Sequence, residues 1–292
     1  MSEREWPDRE SWRWPPMWVR VEGGRIHYVR AGSGPPVVFV HGTPTWSYEW
    51  RHALQAMSAS HEVIALDHLG FGRSDRPEGA DYSPQAHAAR FREAMEVLLP
   101  EGRVSLVVHD FGGPIALDWA LDHPERLSRL VVVNSWMWSF ADDPTMKGQA
   151  RMAGSWILRL LYRHANASLR LIMPAAYADR SRLTRAIHEQ YLAPFPDPDS
   201  RERVLFALAK SLAGSSAFFA GLWERRHRLA GVPVDILWGM RDRAFKPAML
   251  ARWEEAVPHA RIHRIERAGH WPHEEVPDEF NGALVALMDP AC

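Results

Sequence analysis

Apolar residues gather in short continuous runs along this chain, each cut off by a small polar cluster. Residues 36–40 (PVVFV) stop at His41-Gly42, 62–66 (EVIAL) at Asp67, 103–108 (RVSLVV) at His109-Asp110, and 130–133 (LVVV) at Asn134-Ser135. Residues 234–238 (VDILW) stop at Gly239, and 260–265 end near Ala268-Gly269. Runs of this length with both faces apolar predict parallel strands covered on two sides. Residues 25–30 alternate instead and end at Gly32-Ser33-Gly34, the signature of a hairpin strand. Between the runs, helices are predicted over 46–57, 84–99, 113–123, 249–256 and 276–288. Such alternation predicts an α/β fold, a mostly parallel doubly wound sheet with right-handed crossovers.

The alternation breaks between about residues 139 and 228. Helical patterns at 153–164, 181–191 and 201–212 flank the breaker run Pro194-Phe195-Pro196-Asp197-Pro198, with no convincing strand. The expected organisation is a core domain of residues 1–138 and 229–292, interrupted by a helical cap insertion at 139–228. Trp156, Leu160, Leu161, Phe218, Phe219 and Trp223 in the insertion fit an apolar pocket lining or ordinary helix packing.

Charge narrows the partners little. Lys and Arg total 35 against 36 acids, a formal net charge of −1 that gives no reason to expect nucleic acid or an anionic membrane. The one cysteine, Cys292, permits no internal disulfide. The first sixteen residues lack the apolar run of a signal peptide, and no stretch approaches the ~18–20 apolar residues of a membrane span. A cytoplasmic enzyme is the expectation.

In open parallel sheets, ligands bind beyond the carboxyl ends of the strands. The polar residues that stop the runs are therefore the candidates: His41-Gly42-Thr43-Pro44, His109-Asp110-Phe111-Gly112-Gly113, Asp242 and His270. Val108-His109-Asp110-Phe111-Gly112-Gly113 has small residues where a strand would turn abruptly into a helix. That is the pattern of the G-x-S-x-G nucleophile elbow with Asp at its apex. No G-x-S-x-G occurs in the chain, which disfavours a serine esterase. Taken alone, Asp110 also fits a simple cap of the following helix.

The landmarks HGTPTWSYEWR (41–51), DHLGFGRSD (67–75), VVHDFGGP (107–114), NSWMW (134–138), LWGMRDRAF (237–245) and AGHWPHEEVP (268–277) span nearly the whole chain. In this order and spacing the chain resembles the α/β-hydrolases of the haloalkane dehalogenase and epoxide hydrolase branch, the dehalogenases most closely. The resemblance implies Asp110 as nucleophile, His270 as base and Asp242 as the acid that orients it. A carboxylate needs no base to attack an sp³ carbon, and His270 would then activate the water that breaks the resulting ester. The backbone N–H groups of Thr43 and Phe111 are the implied oxyanion donors. His273 competes as the base and Asp235 as the acid, but Asp235 lies inside a strand pattern. Asn134 sits where some relatives place their acid, and an amide cannot serve. Asp67 to Gly72 lacks phosphate-loop spacing and reads as a structural turn. No histidine–carboxylate group has zinc spacing, so neither metal nor cofactor is expected. The expected partners are a small apolar substrate and water.

Dehalogenases of this type usually cradle the halide with a Trp after the nucleophile and an Asn after His-Gly. Here those positions hold Phe111 and Thr43. Phenylalanine has no N–H, and losing one donor aimed at developing charge costs ~100–1,000-fold in rate. Trp46, Trp136 and Trp138 are the candidate substitutes. The departure keeps epoxide hydrolysis open, with Tyr162, Tyr177 and Tyr191 of the insertion as candidate acid donors. A non-catalytic, ligand-binding relative is the remaining alternative.

Overall fold

Eight strands form one sheet in the computed structural model, which describes residues 12–141, 143 and 146–288. They are β1 (Met17–Val21), β2 (Gly24–Ala31), β3 (Pro36–Val40), β4 (Glu62–Leu66), β5 (Val104–Asp110), β6 (Leu127–Ser135), β7 (Val234–Gly239) and β8 (Arg261–Ile265). Their order across the sheet is β1-β2-β4-β3-β5-β6-β7-β8. β2 runs antiparallel to both neighbours, and every pairing from β4 through to β8 is parallel. This is the α/β-hydrolase architecture.

Burial follows position in the sheet. β5 and β7 are buried at every residue, as continuous apolar runs covered on both faces should be. β8 at the edge has one buried residue, Ile265. At the other edge β1 buries only Val19 and Val21, so it needs no continuous apolar run and the pattern of the chain does not announce it. The hairpin partner of β2 is this strand, joined through Glu22-Gly23. The glycine-rich turn at Gly32 to Gly34 leads on towards β3.

α1 (Arg51–Met57), α2 (Pro84–Leu98) and α3 (Gly112–Asp122) lie between β3 and β6. Between β6 and β7 come α4 (Lys147–Ala153), α5 (Trp156–Ala165), α6 (Met173–Ala176), α7 (Arg185–Leu192), α8 (Pro198–Ser200), α9 (Ala207–Gly214) and α10 (Ser216–Arg225), with no strand among the described residues. α11 (Pro247–Ala256) precedes β8, and α12 (Pro272–Glu275) and α13 (Pro277–Met288) follow it. Local chemistry sets several boundaries. Ser83 and Ser155 accept N-cap bonds from Ala86 and Leu158, and Asn166 at φ 50° closes α5 in the left-handed conformation.

After β3 the chain places β4 on one side of it and β5 on the other. The carboxyl ends of β3 and β5 thus border the point where the winding reverses, the position at which open α/β sheets bind ligands.

Candidate active site

β5 ends on Asp110 and α3 starts two residues later, so the chain must bend sharply between them. Asp110 takes a left-handed φ of 48°, a costly value for a residue with a Cβ. A Cβ on Gly112 would overlap the Val40 carbonyl, and one on Gly42 would overlap the Asp110 side chain. Glycine at both places lets the bend press against the end of β3. From β6, the Ser135 hydroxyl donates to the Asp110 carbonyl at 2.6 Å. These ties hold a carboxylate that is 6% exposed.

Its two oxygens have different partners. The Thr43 backbone N–H donates to Asp110 Oδ1 at 2.8 Å. Asp110 Oδ2 lies 3.6 Å from His270 Nε2. On the far side of the ring, His270 Nδ1 donates to Asp242 Oδ2 at 2.7 Å. Asp242 accepts further bonds from the Ala244 and Phe245 backbone N–H groups, at 2.7 and 2.9 Å, and from Asn134 Nδ2 at 2.8 Å. Asn134 also receives the Gly239 N–H at 2.9 Å, so this amide joins the ends of β6 and β7 and steadies the acid beside it.

The electrostatics follow from this geometry. Burial raises the cost of a charged Asp242, but His270, with the Phe245 and Asn134 donors, outweighs it and holds the carboxyl below its usual range. Burial likewise opposes a charged His270; the Asp242 carboxylate and then Asp110 overcome it and push the imidazole up to about 10. The two carboxylates thus favour the charged form of His270. Asp235, the competing acid, is buried within β7 and pairs with Arg129 and Arg261. His273, the competing base, stacks on Trp50 at 4.4 Å and faces Glu49 rather than Asp242.

Two groups around the site escape the sequence reading. Glu49 is wholly buried between His109, at 3.3 Å, and His273, at 3.7 Å. Their ligand-capable atoms lie within 4.8 Å of one another, close enough to share an ion, and mutual charge pairing serves them equally. Burial works against the Glu49 charge, yet the two imidazoles, His109 foremost, hold its carboxyl well below the usual range. His109 Nε2 donates to the His270 carbonyl at 2.9 Å, linking this cluster to the loop that carries His270. Glu275 is the second. It accepts from the N–H groups of Gly269, Ala178 and Asp179 at 2.8, 2.8 and 3.0 Å, so it clips the His270 loop to the insertion. Adjacency to Asp110 and His270 in the chain is the only sequence signal for either group.

The pocket candidates separate clearly. Trp136 packs edge-on against Phe111 at 4.8 Å and against Phe245 at 5.1 Å, and Phe245 in turn meets the His270 ring at 5.1 Å. Trp46 spends its N–H on the Gln190 carbonyl at 3.1 Å. Trp138 packs between Trp223 and Trp253. Of the tyrosines, Tyr191 donates to Glu274, which also pairs with Arg51. Tyr177 stacks on Trp271 at 5.1 Å. Tyr162 is the one whose hydroxyl feels Asp110. Burial pushes it up to about 12, a bond to Ser168 works against this, and the Asp110 charge adds to it.

Residues 35–277 match the family described as alpha/beta hydrolase fold. The chain is 31% identical over 281 residues to a cis-3-alkyl-4-alkyloxetan-2-one decarboxylase of Shewanella oneidensis, spanning 88% of this chain and 83% of that protein. It is 30% identical over 281 residues to haloalkane dehalogenase 2 of Mycobacterium tuberculosis, spanning 96% of each. Among solved structures it resembles the haloalkane dehalogenase DatA of Agrobacterium tumefaciens, with a TM-score of 0.81 at 25% identity over 93% of this chain and 95% of that one.

Proposed function

The chain belongs to the alpha/beta hydrolase fold family, and from that premise we propose a haloalkane-dehalogenase-type hydrolase whose nucleophile is Asp110, with His270 as base and Asp242 as its orienting acid. One observation carries the reading. Asp242, His270 and Asp110 stand in line at 2.7 and 3.6 Å, and the other Asp110 oxygen is held by the Thr43 N–H at 2.8 Å. The helices between β6 and β7 are read as a cap, residues 139–228, over the core.

In the first step an Asp110 oxygen bonds to an sp³ carbon as the leaving group departs with its electron pair, leaving an alkyl ester. Esterification removes the Asp110 charge and with it part of what keeps His270 protonated. Burial then counts for more, the ring gives up its proton to solvent, and the neutral imidazole can act as a base. His270 takes a proton from water, whose oxygen attacks the ester carbonyl. The developing oxyanion falls to the N–H groups of Thr43 and Phe111. On collapse the departing alkoxide takes the proton back from His270 and leaves as the alcohol, and the Asp110 carboxyl passes its remaining proton to the imidazole, which restores the carboxylate.

A second reading concerns the leaving group. With Phe111 and Thr43 at the usual halide-donor positions and the Trp46 N–H engaged by Gln190, the usual pair of halide donors is not present, and the buried Trp136 indole beside Phe111 is the candidate donor that remains. This favours electrophiles whose leaving oxygen stays tethered, such as strained rings. An epoxide would leave an alkoxide that needs a proton, for which Tyr162 and the His270 imidazolium are the available acids. An oxetan-2-one, the ring in the name of the Shewanella relative, would leave a carboxylate that needs none. Loss of that carboxylate as CO₂, with its electron pair forming the alkene and expelling Asp110, would complete the turnover.

The test is a panel of brominated alkanes, styrene oxide-type epoxides and cis-dialkyl oxetan-2-ones, scored for bromide, diol and alkene. With a bromoalkane or epoxide that the wild type turns over, His270→Phe should accumulate an ester on the Asp110 peptide, detectable by mass spectrometry. An adduct on another residue would overturn the assignment. A ligand that binds Asp110→Asn unchanged and is never turned over by the wild type would instead make the chain a binding relative.

A further inference from the structure

A net charge near zero conceals a local asymmetry. Between Asp143 and Asp179 the chain has no acidic residue, but it carries Lys147, Arg151, Arg159, Arg163 and Arg170. The same stretch holds seven of the eleven large apolar side chains left exposed among the described residues. Four of them, Trp156, Ile157, Leu160 and Leu161, share one face of α5, and Trp156 is 71% exposed. Met152 from α4, and Leu171 and Ile172 beyond α5, are exposed alongside them in the chain.

The opposite face of α5 looks inward. Tyr162 is buried there and senses the Asp110 charge. Arg159 and Arg163 flank the two faces and pair with Glu202, Arg163 also with Asp199, which pins the helix to the insertion. The apolar face is thus held outward by ion pairs on its border. Single exposed apolar residues are ordinary, whereas a cluster this dense marks a surface that meets something apolar.

We propose that the outer face of α5, with its flanks at Met152, Leu171 and Ile172, docks on an anionic lipid surface, the apolar side chains entering the headgroup–acyl boundary and the cations meeting the headgroups. Three features select this occupant. An amphipathic helix with a Trp/Leu face and an arginine-bearing border is the form that lies in a bilayer interface. The stretch carries five cations and no acid of its own, an excess that complements negative headgroups even with Arg159 and Arg163 paired to Glu202 and Asp199. A second copy of the chain meeting through the same patch would bring one cation-rich surface against another, which like-charge repulsion opposes. Among the described residues no single helix is long and apolar enough to cross a membrane.

The experiment is flotation of the full chain with vesicles of phosphatidylcholine alone or with about a third phosphatidylglycerol, at low salt and at about 1 M, where screening shortens to ~3 Å. The wild type should float with the anionic vesicles at low salt and remain unbound with the neutral ones. Trp156→Glu/Leu160→Glu should lose about tenfold or more of the bound fraction while keeping the wild-type melting temperature. Lys147→Glu/Arg151→Glu should lower binding at low salt only. Absence of flotation, equal binding to both vesicle types, or wild-type binding by the apolar double variant would overturn the proposal. So would a light-scattering dimer that becomes a monomer in that variant. Vesicle binding requires no turnover, so its failure is separable from failure of the catalytic reading.

Discussion

In the proposed mechanism His270 is the residue on which the chemistry turns, because its charge depends on two carboxylates working against burial. Its imidazole should titrate near 10 by NMR, and Asp110→Asn, which removes one of the two, should move that titration down. An unchanged value in the variant would mean that Asp110 does not act on the ring as its 3.6 Å separation implies. The sign for stability follows. A folded pKa raised above the ordinary 6.5 adds stability that is complete below 6.5 and is lost as pH climbs towards about 10. Asp110, Asp242 and His270 were all legible as candidates, since each stops a strand or follows one. The role of Asn134 was not. Its identity shows that it is no acid, but only the meeting of β6 and β7 shows that it donates to Asp242.

At the scale of elements, the His270 loop depends on the insertion as well as on β8. The His270 N–H donates to the Ala176 carbonyl at 3.1 Å, and Glu275 gathers three backbone donors from both sides of that contact. Glu275→Ala leaves those donors without their acceptor, which should cost about 2–4 kcal/mol. A shift of the denaturant midpoint with unchanged slope would report it, accompanied by a fall in kcat as the base loosens. A variant as stable and active as the wild type would show the clip to be idle. The central strands were readable because each is a buried apolar run between polar stops. β1 was missed for the converse reason: an edge strand with two buried residues leaves almost no pattern. Glu49, His109 and His273 also lay beyond reach, because each comes from a different segment and nothing in their spacing joins them.

For the whole molecule, buried carboxylates set the acid limit. Glu49, Asp67, Asp242 and Glu274 are all held below their ordinary values by imidazoles or Arg51, against the cost of burial. Depressed folded values mean that their stability is present above the ordinary 3.8–4.5 and drains away as pH falls below it. Thermal unfolding should therefore drop steeply on acidification below about pH 4.5, and less steeply in Glu49→Gln, which has one such group fewer. Equal slopes would remove Glu49 from that set. The charge of the chain teaches a related lesson, since a balanced total gave no hint of the acid-free apolar face on α5. The central claim concerns where the oxygen of the product originates. In a single turnover in ¹⁸O-water, with a bromoalkane or epoxide that the panel identifies, the first product should carry unlabelled oxygen from Asp110 and the label should appear in the Asp110 peptide. Label in the first product, with none in that peptide, would contradict a covalent ester on Asp110.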